Sequence, residues 1–275
     1  MTTWDTLIGE YTSYLRAIGR PATTVDLRRN QLRYLAKSLH MQPDKITEAD
    51  LVGWFGLHDW KPETRRSYRA ALRSFYAWAC KSGLLYTDPA VDLPSMKPDW
   101  PVPRPAPDAV LAAATLAADV RVTLMLRLAA EAGLRRGEVA RVHTRDLRQT
   151  GTGWQLLVHG KGRRERLVPV TDSLAARITA GAAGHTAGES RNGWLFPGPD
   201  GHLAPRRVGY LCSRVMPDVW TMHALRHRFA TRAYRGSRDI RAVQQLLGHS
   251  SLAMTERYVA TDDAAMRAAM MAAVA

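Results

Sequence analysis

Six prolines crowd positions 94, 98, 101, 103, 105 and 107. Proline fixes φ and carries no N–H, so a run this dense forbids a helix and favours an extended, fairly stiff connector. The stretch LPSMKPDWPVPRPAP therefore divides the 275-residue chain. The expected organisation is a first domain over 1–93, a linker over 94–107 and a second domain over 108–275, with a tail at 262–275.

Upstream of the prolines, apolar spacing predicts four helices. Trp4, Leu7, Ile8, Tyr11 and Leu15 mark the first, over 3–18,. The second covers 22–40. Thr47 reads as the N-cap of a third over 48–57. Pro62 opens a fourth, over 62–82, that Gly83 ends. Leu72, Phe75, Tyr76 and Ala79 form its apolar side. Arg65, Arg66, Arg69 and Arg73 recur three to four apart and share another side,. A solvated face is the usual fate of such a run. The sharper reading is a stripe that follows a DNA backbone.

Downstream, helices are expected over 107–117, 119–132 and 136–142. Trp154–His159 and Arg166–Val170 read as strands, joined by a tight connection containing Gly160 and Gly162. Helices resume over 173–182, 205–216, 223–235, 238–247 and 251–258, and the Ala- and Met-rich tail also reads as helical. The fold class is mainly α with a small antiparallel sheet.

Charge narrows the function. Lys+Arg number 39 and Asp+Glu 25, a net +14. That excess points to a polyanion, of which nucleic acid is the commonest. Residues 108–275 carry 24 basic and 14 acidic residues and so hold most of the field. Cys80 and Cys212 are far apart and show no CxxC pattern, which argues for a reducing compartment. No stretch approaches the roughly 18 apolar residues of a membrane span, and MTTWDTLIGEY lacks the basic flank and apolar core of a signal peptide. A cytoplasmic protein is expected. No GxxxxGK[ST] or GxGxxG is present, and the histidines are not spaced as zinc ligands. Neither cofactor nor metal is expected.

Six polar residues then stand out in the second domain: Arg135, Lys161, His223, Arg226, His249 and Tyr258. Arginine, lysine and histidine supply the hydrogen-bond donors that a pentavalent phosphate needs. A tyrosine can supply a nucleophile. Individually each has an ordinary explanation, such as a surface arginine, a hairpin-tip lysine or a packed aromatic. Together they suit metal-free phosphoryl chemistry. Glu138 follows Arg135 by three residues and could hold it or brace a neighbour. Arg163, Arg164 and Arg166 surround Lys161 in sequence, so they would bind phosphate and lower the lysine pKa. His227, next to Arg226, reads as structural.

The ordered boxes EAGLRRGEVA, GKGRRERLVPV, HALRHRFAT, LLGHSS and TERYVA resemble the tyrosine recombinase, or phage integrase, family over residues 120–260. Residues 1–93 are similar, more weakly, to that family's helical core-binding (SAM-like) domain, and 108–275 to its α/β catalytic domain. The resemblance places Arg135, Lys161, His223, Arg226, His249 and Tyr258 at the family's active-site positions and Glu138 at its acidic position. It implies a site-specific recombinase working without ATP or metal. Tyr258 would attack and form a 3′-phosphotyrosyl bond, His223 would take the proton, and Lys161 would protonate the departing 5′-oxygen. Arg135, Arg226 and His249 would hold the non-bridging oxygens. Four protomers would exchange strands on double-stranded DNA through a Holliday junction at the nucleoid, with an accessory directionality factor as a further partner. The tail would dock on a neighbouring protomer. The chain looks like a Xer-type recombinase or a minimal integrase without an arm-binding domain. A type IB topoisomerase and a non-catalytic DNA-binding protein remain the rivals.

Overall fold

A computed structural model describes residues 3–95, 103–160, 162, 164–181, 192–199, 201–217, 219–249, 251–259 and 270–273, the side chains of 257–259 excepted. The chain divides into two compact units, Met1–Pro101 and Val102–Ala275.

The first unit is built from α1 (Trp4–Ala17), α2 (Ala22–Leu39), α3 (Glu48–Gly56) and α4 (Pro62–Lys81). Local chemistry sets its helix ends. Thr47 and Asp50 form a reciprocal capping box at α3, and Pro62 occupies the first turn of α4,. The core joins Leu7, Tyr11, Leu32, Leu35, Trp54, Leu72, Phe75 and Tyr76, all nearly inaccessible. Burial lifts the Tyr76 hydroxyl pKa far above its usual value,.

The second unit packs around α6 (Val120–Glu131). Leu124, Met125, Leu126 and Leu128 are all buried, so this helix is covered on every side,. Asp119 caps it through the Val122 N–H at 2.7 Å. Against α6 pack α5 (Asp108–Ala117), α8 (Asp172–Gly181), α9 (Pro205–Val215) and α10 (Met222–Ser237). One short helix, α7 (Arg136–Val139), follows α6, and α11 (Ile240–Leu247) and α12 (Ala253–Val259) follow α10. The fold is mostly helical with a small antiparallel sheet.

That sheet has three strands in the order β1 (Leu147–Thr150), β2 (Gly153–His159) and β3 (Glu165–Val170), all antiparallel. Sequence periodicity marks β2 and β3 but not β1. The reason is that Arg148, Gln149 and Thr150 all face solvent, so β1 has no alternation to read,. A second ribbon, β4 (Pro197–Gly198) and β5 (Gly201–His202), is too short for any pattern. The helix expected over 136–142 is only four residues long. The tail expected to be helical lies outside the described residues except for 270–273, which are helical and exposed.

Candidate active site

The site begins where α6 stops. Gly133 turns the chain at φ +65°, and a Cβ there would run into the Phe229 ring. Two residues later Arg135 is the N-cap of α7, and one turn on lies Glu138, 4% exposed. A buried carboxylate needs partners. Glu138 Oε2 accepts the Arg135 backbone N–H at 2.8 Å, and Oε1 accepts from Arg135 Nη1 at 2.9 Å. Arg166, reaching in from β3, donates both guanidinium arms to it at 2.9 Å. Arg226 Nη1 stands 3.7 Å from Oε2. Burial opposes ionisation of Glu138. The Arg166 hydrogen bonds and charge, the Arg135 N–H and the Arg226 charge outweigh it, and the pKa falls to about 2,.

The same arginines close the end of α11. Gly248, at φ +62°, leaves the last carbonyls of that helix unpaired within it,. Arg166 Nε donates to Leu246 O at 2.7 Å, Arg226 Nη2 to Leu247 O at 2.7 Å and Arg135 Nη1 to Leu247 O at 3.3 Å. Arg226 Nη1 also donates to Gly133 O, past the end of α6. Cations at helix C-termini are favoured by the helix dipole. One carboxylate thus holds three guanidiniums, and the cluster keeps a net positive charge.

His249 completes it. Its Nε2 lies 3.2 Å from Arg226 Nη2 and its Nδ1 2.9 Å from the buried Thr255 Oγ1. An arginine only donates, so Nε2 accepts and Nδ1 donates. Burial, then Arg226, Arg135, Arg166 and His227, lower the His249 pKa to about 3.

His223 occupies the first turn of α10 and is exposed, whereas Arg226, one turn on, is 1% exposed. His223, Arg226 and Arg135 line a cavity of about 740 Å³, together with Arg136, Arg206 and Tyr210. A second cavity of about 600 Å³ is lined by Arg135, Arg164, Arg166, His249 and Met254. Arg135 faces both. A phosphate beside it would meet donors from two sides.

The family model for the phage integrase family matches residues 107–265. The chain belongs to this family. Among its relatives, tyrosine recombinase XerC of Rhodospirillum centenum is 36% identical over 214 residues, 72% of this chain and 62% of that protein. The matched region thus spans about three fifths of that relative's length. Tyrosine recombinase XerD of Caulobacter vibrioides is 33% identical over 247 residues, 82% of this chain and 80% of its own length. A crystal structure of XerH site-specific recombinase, bound to a palindromic difH substrate after cleavage, superposes with a TM-score of 0.76 at 17% identity, covering 98% of this chain and 84% of that one. At that identity the likeness speaks to fold.

Within this integrase-family chain the structure brings Arg135, Glu138, Arg226 and His249 into one cluster and sets His223 on the adjoining cavity wall. Tyr258 belongs to α12, which packs on α10 and α11, but its side chain lies outside the described residues. Lys161 and Arg163 also lie outside them. Arg164 is exposed at the cavity rim.

The structure gives protein partners to several of the other residues singled out in the sequence. Arg166, expected to grip DNA, donates to Glu138 and to Leu246 O, with a side chain 11% exposed. Arg69, expected in a DNA-facing stripe, grips the Leu93 carbonyl with Nε at 2.8 Å and Nη2 at 2.6 Å. Arg65 Nη2 likewise donates to His58 O at 2.5 Å, leaving Arg66 and Arg73 as the exposed pair. His227, expected to be structural, stands edge-on to His223 with ring centroids 4.2 Å apart, and its charge acts on His249. Its spacing of four residues from His223 was the available signal.

Proposed function

We propose that this tyrosine recombinase breaks and rejoins DNA through a covalent 3′-phosphotyrosyl intermediate. The observation that carries the reading is the cluster at Glu138, where Arg135 and Arg226 are fixed before any substrate arrives. Preorganised positive charge aimed at a phosphate costs no rearrangement when charge builds on the non-bridging oxygens. Burial and then the same arginines hold His249 neutral. A phosphate anion offsets their repulsion, so that Nε2 takes up a proton and, as an imidazolium, His249 donates to a non-bridging oxygen of the phosphate.

Tyr258 Oη attacks phosphorus and the P–O5′ bond breaks. An unperturbed phenol is protonated at neutral pH, so a base must take its proton. His223, exposed on the cavity wall, fills that role. Lys161 gives a proton to the 5′-oxygen. The bond to tyrosine keeps the phosphoester's energy, so a 5′-hydroxyl from another duplex reverses the step without ATP or metal. DNA is the partner. Four copies exchanging strands through a Holliday junction, an accessory directionality factor and action at the bacterial nucleoid complete the reading. So does a core-binding role for the first unit. No helix among the described residues is long and apolar enough to cross a membrane.

Trapping on a nicked half-site substrate tests the nucleophile. Tyr258→Phe should form no covalent adduct yet hold DNA within a few fold of the parent, because affinity comes mainly from phosphate contacts. Adducts from the phenylalanine variant would remove Tyr258 from the mechanism.

A further inference from the structure

His159 is the last residue of the central strand β2, two residues before Lys161. Its ring joins the strands on either side. Nδ1 lies 2.9 Å from Glu165 Oε1, at the start of β3, and Nε2 lies 3.1 Å from Asp146 Oδ1, just before β1. Each ring nitrogen thus faces a carboxylate oxygen, one on either neighbouring stretch of chain. Asp146 has a side chain 6% exposed, and among the described residues His159 is the one side chain that hydrogen-bonds it.

The position of this contact gives it consequence. The sheet is fastened at the end from which the β2–β3 connection leaves. That connection is closed by the Gly160 N–H on Arg164 O at 2.7 Å. A Cβ on Gly160 would stand 3.8 Å from Glu138 Oε1, so the base of the connection runs beside the arginine cluster. The cross-strand pair His159 and Glu165 thus sets the hairpin base, and Asp146 ties that base to the body of the unit.

We propose that Asp146, His159 and Glu165 form a staple that fixes the base of the β2–β3 connection and through it supports the general-acid role of Lys161. His159 is a positioning residue in this account and touches no substrate. The inference rests on the reading of Lys161 as general acid. Its loss should therefore appear in leaving-group protonation, with little change in DNA binding.

The experiment measures single-turnover cleavage on half-sites carrying oxygen or sulfur at the 5′-bridging position, with half-site affinity by gel shift. A thiolate leaves without protonation. His159→Ala should slow the oxygen substrate by between about tenfold and a hundredfold, the cost of a small misplacement at a reacting centre. It should recover most of the rate on sulfur and keep affinity within about twofold. His159→Arg, which can donate to both carboxylates, should restore much of the oxygen rate and also serves if the alanine variant folds poorly. Adding His159→Ala to Lys161→Ala should slow neither substrate further. An unchanged oxygen rate, equal slowing of both substrates by His159→Ala, or additive slowing in the double variant would each overturn the staple. Failure of sulfur to rescue Lys161→Ala itself would instead overturn the general-acid reading, and the double variant would still report whether His159 acts through Lys161.

Discussion

Arg226 and His223 stand one turn apart on α10 and live in opposite conditions. Arg226 is 1% exposed and bonded to Gly133 O, Leu247 O and His249, with Glu138 beside it. His223 is exposed, in ring contact with His227. The groups proposed to hold charge are built into the scaffold, where they close helix ends and neutralise a buried carboxylate. The group proposed to move a proton stands at the surface. Static charge gains from low dielectric and fixed geometry. Proton transfer needs access to the reacting atoms. Changes in the buried cluster should therefore damage fold and rate together, and changes at the exposed histidine should damage rate alone.

Glu138→Gln presses hardest on that contrast. It removes the one carboxylate among three guanidiniums. Breaking a buried ion pair from one side costs about 3–5 kcal/mol. Denaturant unfolding should show a loss of that order, together with loss of cleavage. A variant that unfolds at the wild-type midpoint but cleaves poorly would show that Glu138 serves the chemistry without supporting the fold.

His223→Gln makes the opposite prediction. Removing a general base slows reactions by roughly 10²- to 10⁴-fold. Cleavage should fall by that order while the unfolding midpoint stays put. His227→Gln, one turn further along α10, should give a smaller rate loss and shift the acid limb of the pH–rate profile, because its ring centroid lies 4.2 Å from that of His223 and its charge reaches His249. A large stability loss in His223→Gln would erase the division between scaffold and surface.

Acid should dismantle the buried cluster first. His249 has its pKa lowered to about 3, so the folded protein resists protonating it. The unfolded chain takes up that proton near the ordinary value of about 6.5. The stability His249 contributes is thus present above about 6.5 and drains as pH falls toward 3. Glu138 is lowered to about 2, so its contribution is present above its ordinary value of 4.5 and drains as pH falls toward 2,. Both act in the same direction. Urea midpoints between pH 7 and pH 4 should fall, and His249→Gln should flatten the upper part of that decline. A decline unchanged by the substitution would place its cause elsewhere.

How much of this was legible in the sequence depends on what each residue touches. Helix ends were readable because they rest on local chemistry: Thr47 caps α3 through Asp50, and Pro62 opens α4. Arg135, Arg226 and His249 could be picked out by box and order, and they do gather. Their anchors could not, because Gly133 O, Leu246 O and Leu247 O are backbone atoms brought together only by tertiary packing. Arg166 and Arg69 show the same limit. A charged residue in a basic stretch does not announce its protein acceptor, here Glu138 for Arg166 and Leu93 O for Arg69. His159 carried no motif at all. Its meaning appears only when the sheet register sets it opposite Glu165 and brings Asp146 within reach.

The first unit offers the mildest test of the same contrast between committed and available arginines. On α4, Arg65 and Arg69 are tied to the carbonyls of His58 and Leu93, while Arg66 and Arg73 are exposed. Each phosphate contact releases counterions and adds roughly 0.9 to the slope of log K against log salt. Arg66→Ala with Arg73→Ala should lower that slope by about 1 to 2 and leave the unfolding midpoint unchanged, since neither side chain is buried. Arg69→Ala should do the reverse, weakening the fold through the lost grip on Leu93 O with less effect on the slope. Gel-shift titrations across salt, paired with urea unfolding, separate the two. If the Arg66 and Arg73 double variant keeps the full slope, the exposed side of α4 is a solvated face, and any backbone contacts of this unit lie on other residues.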